Sequence, residues 1–275
     1  MGTLFLVATP IGNMEDVTLR ALRVLGEVGL VAAEDTRTAR KLMAHHGISN
    51  RVLSYTEHNM AERTPQIMKV LEAGGDVALV SEAGTPGISD PGFELIKTVI
   101  EADHKVSSIP GPAAPIAAVV ASGLPSAEFT FLGFLPRRSI DRRRLFESVR
   151  ESPRTLVAFE SPHRIQKSLQ DLLATVGDRR IAACREMTKL HEETYRGTVS
   201  EAISHFTAPR GEFTLVVEGA TNAPPELSDD QIVAMLTSLA NDGTSTRDAV
   251  ARVVEDTGLS RQRVYRLAVK SQAPD

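Results

Sequence analysis

The sequence predicts an α/β protein: two α/β domains, each on a five-stranded sheet, followed by a small C-terminal all-α domain like a helix-turn-helix. Three observations predict it. Short β-rich runs alternate with helix-period stretches, the alternation restarts after a Gly/Pro break near residues 122–127, and a proline-rich linker precedes three short helical segments. The expected boundaries are 1–122, 123–222 and 226–275, a division that suits 275 residues.

In the first domain the strand candidates are Leu4 to Ala8, Leu30 to Ala33, Val52 to Tyr55, Val77 to Ser81 and Val106 to Ile109. Between them Leu19, Leu22, Leu25 and Val28 recur about one turn apart, and Ile67, Met68, Val70 and Leu71 and then Leu95, Ile96, Val99 and Ile100 cluster on helix faces. Thr64-Pro65 reads as a cap with a first-turn proline, and Gly47 and Gly74 fall where helices should stop. Strand and helix in alternation make a mostly parallel sheet.

A small-residue helix from Ala113 to Ala121 ends at Gly123 and Pro125. The second domain then offers Phe129 to Leu135, Leu156 to Phe159, Ile181 to Cys184, Thr194 to Gly197 and Phe213 to Glu218 as strands, with helices near Arg143, Leu169 and Ile203. After the linker Asn222 to Pro225, Ser228, Thr246 and Ser260 each precede a short helix. Val253, Gly258, Val264 and Leu267 keep the spacing of a helix-turn-helix.

Composition narrows the chemistry. Hydrophobic residues at 42% and charged residues at 24% exclude wholesale disorder. The single cysteine, Cys184, excludes an internal disulfide and suits a reducing cytoplasm. Met1 to Ala8 carry no basic leader, and no window holds the roughly eighteen apolar residues of a membrane span, so neither export nor insertion is expected. A net charge of −4 makes any nucleic-acid surface a local one. His45 and His46 are adjacent, His163, His191 and His205 lack ligand spacing, and no metal site is expected. No G-x-S-x-G elbow anchors a hydrolase triad.

The densest chemical signal is Ser81-Glu82-Ala83-Gly84-Thr85-Pro86-Gly87-Ile88-Ser89-Asp90-Pro91-Gly92, placed at the carboxyl end of a strand, where open parallel sheets bind ligands. Its glycines permit close backbone approach and its prolines stiffen it, which suits a main-chain cradle; a turn-rich connection with no ligand reads equally well. Ile109 to Pro115 forms a second such corner, readable also as close helix-sheet packing. Thr9 to Asn13 closes the first strand without either phosphate-cradling glycine spacing, so a phosphate-free cofactor with an adenine, a ribose and a zwitterionic tail fits better; S-adenosylmethionine qualifies. Glu34-Asp35-Thr36-Arg37 and Glu57-His58-Asn59 end two more strands, so polar side chains from three strand ends converge on one crevice. Taken singly, Asp35 or Thr36 reads as a helix cap with Arg37 in a surface pair.

Two basic clusters stand out from the acidic average: Arg137, Arg138, Arg142, Arg143 and Arg144, and then Arg261, Arg263, Arg266 and Lys270 around the last helix. Each could be a solvated face; two of them on an acidic chain suit contacts to a phosphate backbone.

Seven ordered runs, Thr9 to Asn13, Ala33 to Arg37, Glu82 to Gly92, Pro110 to Pro112, Phe159 to Arg164, Arg185 to Lys189 and Gly211 to Leu215, resemble the small-subunit rRNA methyltransferase I family, of the tetrapyrrole-methylase type of S-adenosylmethionine enzymes. The resemblance covers essentially the whole chain. It implies a homodimer that methylates the 2′-oxygen of a cytidine ribose, position 1402 in conventional small-subunit rRNA numbering, on the assembled subunit. It implies cofactor contacts from Pro10, Ala83, Gly84, Thr85, Ile88, Ala113, Ala114, Phe159, Glu160, Met187, Glu212 and Phe213. Relatives acting on tetrapyrroles have Asp where this chain has Thr85. A ribose hydroxyl needs a base or an electrostatic partner, and Asp35, Glu82, Glu186 and Lys189 are the candidates, with Arg37 orienting the RNA. The alternatives are methylation of a small tetrapyrrole, which needs no basic tail, and a metabolite-sensing DNA-binding regulator.

Overall fold

A computed structural model describes residues 2–89, 92–221, 228–241, 244–257, 259 and 261–270, the side chain of Lys270 excepted. They form two compact units, Met1–Ala220 and Thr221–Asp275.

The first unit opens on β1 (Thr3–Val7), α1 (Leu19–Glu27), β2 (Leu30–Ala33), α2 (Thr36–His45), β3 (Val52–Ser54), α3 (Met60–Glu72), β4 (Val77–Val80), α4 (Phe93–Glu101), β5 (Lys105–Ile109) and α5 (Ala114–Ser122). The strands pair in the order β3-β2-β4-β1-β5, all parallel. Helices cover both faces, so β2 and β4 are buried along their whole length, as the unbroken apolar runs Leu-Val-Ala-Ala and Val-Ala-Leu-Val require. One apolar layer joins Val24, Leu25, Leu42 and Met43 to the sheet, and the opposite layer joins Ile67, Leu71, Leu95 and Val99.

A second sheet follows, with β6 (Phe129–Phe134), α6 (Ser139–Ser148), β7 (Thr155–Glu160), α7 (Ile165–Val176), β8 (Arg180–Arg185), β9 (Glu193–Thr198), α8 (Val199–His205) and β10 (Phe213–Val217). The order is β6-β7-β10-β8-β9, and only β6 and β7 run parallel. The seven residues 186–192 between β8 and β9 are too few for a parallel crossover, which forces an antiparallel pair.

The expected break at 122/123 follows the chain, whereas the packing crosses it. Ala118 and Val119 of α5 sit against Val157, Ala182, Cys184 and Val216 of the second sheet, and the Arg196 guanidinium caps α5 by donating to the carbonyls of Ala121 and Ser122. A helix that leaves the first sheet is thereby fastened to the second.

Two boundaries move. α3 begins a turn earlier than Thr64-Pro65 suggests, because Thr56 and Asn59 close a turn that starts it, with Asn59 Oδ1 accepting from the Thr56 amide at 2.8 Å; Pro65 lies inside the helix. In the second compact unit, α9 (Asp229–Asn241), α10 (Thr246–Thr257) and α11 (Arg261–Lys270) bury Ile232, Leu236, Val250, Val253, Val264 and Leu267 together. Ser245, not Thr246, caps α10, its Oγ accepting from the Asp248 amide at 3.2 Å. Residues 222–225, Gly258 and Ser260 of the predicted linker and turn lie outside the described residues, as do Asp90 and Pro91.

Candidate active site

Three loops meet at the carboxyl ends of β1, β4 and β5. Thr9 and Gly84 exchange backbone hydrogen bonds of 2.8 and 3.0 Å, and Thr85 Oγ1 donates to the Pro112 carbonyl at 3.3 Å, so the turn after β1, the loop after β4 and the corner after β5 form one block. Gly84 and Gly87 hold φ of 81° and 83°, a left-handed conformation that the loop needs and that glycine adopts without cost. Ser81 Oγ donates to the carbonyls of Ala83 and Gly84 and braces the turn from within. Ala83 and Ile88 are exposed, Gly84 is buried and Thr85 half-buried.

The second sheet closes over this block. A side chain at Gly12 would lie 2.6 Å from Lys189 Cγ and 2.8 Å from Thr188 Oγ1, so the turn after β1 lies directly against the 186–192 loop. That loop is tightly wound, with Glu186 and Thr188 at φ of 50° and 68°. Lys189 Nζ bonds Glu186 Oε1 at 2.9 Å and Glu212 Oε2 at 3.0 Å, and Glu186 Oε1 also accepts from the Glu212 amide at 3.0 Å. Burial opposes both charges, yet the pairing prevails: the Glu186 carboxyl is held below its ordinary range and the Lys189 ammonium above its own. Phe159 is half-buried, its ring 5.1 Å from those of Phe131 and Phe134.

The strand-end acids converge as their positions in the sheet require. Burial, then the carboxylates of Glu82, Glu57 and Asp35, push Glu34 above the usual glutamate range. Asp35 caps α2 through the Arg37 amide at 2.7 Å and takes the Arg37 side chain at 3.2 and 2.8 Å, which lowers it to about 2. The cap-and-pair alternative thus accounts for its geometry.

Three expected contacts need correction. The Glu160 side chain is fully enclosed and spent on the Ser161 amide, the Ser168 hydroxyl and the Arg164 guanidinium, so its carboxylate faces inward. The Phe213 ring packs on Phe206 in the core, leaving only its main chain for a ligand. Arg142 is buried and paired with Asp171, which also binds Arg143 Nε at 2.6 Å and Ser139 Oγ at 2.9 Å; it anchors α6 to α7 and cannot meet RNA. Arg137, Arg138, Arg143 and Arg144 are exposed, and Arg150, which the sequence reading passed over, joins Arg143 and Arg144 along an open groove between α6 and α7. In the second compact unit Arg261 and Arg266 are exposed, Arg263 bonds Asp229 of α9 at 2.8 Å, and the Lys270 side chain lies outside the described residues.

Residues 3–203 match the family of tetrapyrrole (corrin/porphyrin) methylases. The chain is 44% identical to the ribosomal RNA small subunit methyltransferase I of Synechocystis sp. over 277 aligned positions, 99% of both chains. It is 42% identical to that of Halalkalibacterium halodurans, over 97% of this chain and 94% of the other. The chain belongs to the ribosomal RNA small subunit methyltransferase I family. The Thermotoga maritima member is 48% identical over 221 residues, 80% of this chain and 99% of its own. Solved structures of the same fold include the methyltransferase CobJ, at a TM-score of 0.60 and 18% identity over 80% of this chain and 95% of that one. Another is uroporphyrin-III C-methyl transferase from Thermus thermophilus complexed with S-adenyl homocysteine, at a TM-score of 0.57 and 19% identity over 79% of this chain and 97% of that one.

Methyltransferases of this family take the methyl group from S-adenosylmethionine, and the residues present fit that group. Thr9 Oγ1 is buried beside the cradle without a hydrogen-bond partner, and Ala113 leaves the first turn of α5 without a side-chain cap. Both leave polar groups for a ligand to satisfy. Among the described residues no cluster of His, Cys, Asp or Glu is arranged to hold a metal ion, and no helix is long and apolar enough to cross a membrane.

Proposed function

We propose that the protein methylates the 2′-oxygen of a cytidine ribose in small-subunit rRNA, acting in the cytoplasm as a homodimer on the assembled subunit. The block joined at Thr9, Gly84 and Pro112, with its unpartnered Thr9 hydroxyl, carries the reading, in a chain whose relatives named as rRNA methyltransferases match it end to end. Pro10, Ala83, Gly84, Thr85 and Ile88 line one wall for the cofactor, Ala113 and Ala114 the corner, and Phe159, Met187, Glu212 and the Phe213 main chain the wall from the second sheet. When bound, the cofactor supplies an electrophilic methyl on a sulfonium. The protein's part is to hold the acceptor oxygen in line, about 3 Å from that carbon, and to keep water out. Lys189, braced by two carboxylates, is placed to steady the closing loop, and Glu82 and Arg37 are exposed at the mouth for the RNA.

The test is incubation with labelled S-adenosylmethionine and under-modified small subunits. An alkali-resistant labelled dinucleotide is expected; label on a base or none in RNA refutes the ribose assignment, and label on a tetrapyrrole moves the protein to the other branch of its fold.

The exposed arginines are assigned to RNA phosphates. Replacing Arg137, Arg138 and Arg144 with alanine is expected to weaken RNA binding across sequences and lower the log–log salt slope by up to about 3, leaving cofactor affinity unchanged. The tail is assigned the same work. The Thermotoga relative, barely longer than 221 residues, does without some fifty residues, about the size of Thr221–Asp275. A chain ending at Ala220 is therefore expected to fold and keep its cofactor affinity, and the assignment of the tail to RNA stands or falls on whether that chain loses RNA affinity, both read by titration.

A further inference from the structure

We propose that Phe134 is the surface on which the base of the acceptor nucleotide stacks, a role that rests on the reading above. The ring is 59% exposed, whereas the other residues of β6 are all half-buried. Its place is set by a bulge. β6 and β7 pair in register from Phe129 to Phe131, and Phe134 then stands opposite Phe159, so three steps along β6 match two along β7. The extra residue is taken up at Gly133, whose φ of 68° is one that glycine adopts without strain.

The bulge decides which face of the sheet carries the ring. Strand alternation puts Phe129 and Phe131 against α5 and Leu132 on the opposite side, toward α6 and α7, so an unbroken strand would send Phe134 into that core beside Leu132. With the extra residue Leu135 takes the core position, and Phe134 joins Phe159 on the face toward α5. The Phe159 ring lies 5.1 Å from those of Phe131 and Phe134, and of the three Phe134 is the exposed one. A side chain at Gly133 would begin 3.3 Å from Ser89 Oγ, so this corner lies against the cradle loop after β4. The mount is rigid. The Leu135 amide donates to the Phe159 carbonyl at 3.1 Å, and the Leu135 carbonyl accepts from Arg164 Nη1 at 3.0 Å.

An aromatic ring on a fixed backbone, left open to water beside the cleft, suits a flat partner. A nucleobase is one, and sequence-specific RNA recognition stacks unpaired bases on such side chains. The next exposed residues along the chain are Arg137 and Arg138, cations for the phosphates that flank the base. A second protein would need a continuous apolar patch at this point, and the chain offers those two charges instead. A nucleotide brought to the methyl donor leaves its own stack, and Phe134 replaces the neighbour it has lost.

The variants that decide are Phe134→Ala and Phe134→Leu, the second keeping apolar bulk and losing the flat ring. On under-modified small subunits each is expected to lower kcat/KM roughly 5- to 150-fold, the range carried by one base stacked on an aromatic side chain. Phe134→Trp should keep most of the wild-type value. Because the ring is exposed, the urea midpoint should stay where it is, and so should the sedimentation of the protein and its calorimetric affinity for adenosylhomocysteine. A second substrate ties the ring to the base: small subunits reconstituted with rRNA that carries an abasic ribose at the acceptor position. By titration, removing the base should weaken binding to the wild type and leave binding to Phe134→Ala unchanged. Wild-type kcat/KM in Phe134→Ala or Phe134→Leu overturns the proposal, as does an equal penalty for the missing base in both proteins. A parallel loss of adenosylhomocysteine affinity gives the ring to the cofactor, and altered sedimentation gives it to a second protomer; either overturns it as well. A wild-type protein that places no methyl on ribose overturns the functional reading instead, and needs no variant to reveal it.

Discussion

Arg142→Ala is expected to cost about 3–5 kcal/mol of stability, the usual penalty for removing one member of a buried ion pair. The Arg142 and Asp171 side chains are 3% and 5% exposed, and the guanidinium also donates to the Pro136 carbonyl at 3.0 Å. Truncation leaves Asp171 with Arg143, itself 58% exposed, and the Ser139 hydroxyl, and opens a hole beside Phe146 between α6 and α7. The cost depends on pH. Burial raises Asp171, but Arg143, Ser139 and Arg142 together lower it below its ordinary value of 3.8. A carboxylate with a depressed folded pKa contributes stability above its unfolded pKa and loses it as pH falls through the folded one. The wild-type advantage should therefore stand in full at neutral pH and shrink below about pH 4. Urea unfolding at pH 7 and in acid measures both, and Arg144→Ala is the control, its side chain 75% exposed and its cost expected within about 0.5 kcal/mol. Equal costs for the two variants would refute the buried pair.

That arginine marks where sequence reading stopped. All ten strands appear within one residue of the positions predicted, because most are short apolar runs between turn-forming residues, and the polar exception, Glu-Thr-Tyr-Arg-Gly-Thr of β9, still carries β-favouring threonine and tyrosine. The seven-residue join between β8 and β9 was available as a sign of antiparallel pairing. Arg142 is different: in the sequence it belongs to a basic run, but it lies one helical turn before the buried Phe146 and shares its face. Its partner Asp171 is 29 residues away, and no spacing rule reaches that far. Glu160 shows the same limit. It follows Leu156 and Ala158 on the core side of β7, while Phe159 turns the other way, so strand alternation places the acid inside; the resemblance, read as a run of letters, placed it in the cleft. The converging strand ends were legible because a parallel sheet puts its carboxyl ends side by side, whereas the raised proton affinity of Glu34 arises first from its burial and then from charges on three separate strand ends, and has no linear signature.

Gly84→Val is expected to weaken adenosylhomocysteine binding tenfold or more while the protein stays folded. Gly84 holds φ of 81°, where an ordinary L-residue carries about 1–2 kcal/mol of strain and a β-branched one more. Space is not the obstacle for a first carbon: a Cβ would lie 3.5 Å from Ile11 Cγ2 and 3.7 Å from the Pro112 carbonyl oxygen, ordinary contacts. Valine adds two γ-methyls at a buried position and a stronger aversion to this backbone conformation, and the loop is expected to relieve the strain by breaking the Thr9–Gly84 bridge or the 3.3 Å bond from Thr85 to Pro112. Either movement spoils the alignment of the loops after β1, β4 and β5. Gly84→Ala carries the strain without the γ-methyls, so its loss of affinity should be smaller, roughly 5–30-fold if the strain falls wholly on the bound state. Gly74→Ala separates strain from site: its φ is 83° with nothing within 4 Å, at the end of α3 and outside the cleft. It should lower stability by about 1 kcal/mol or a little more and leave the calorimetric affinity untouched. If Gly84→Val binds adenosylhomocysteine as tightly as the wild type, the main-chain cradle after β4 does not hold the cofactor.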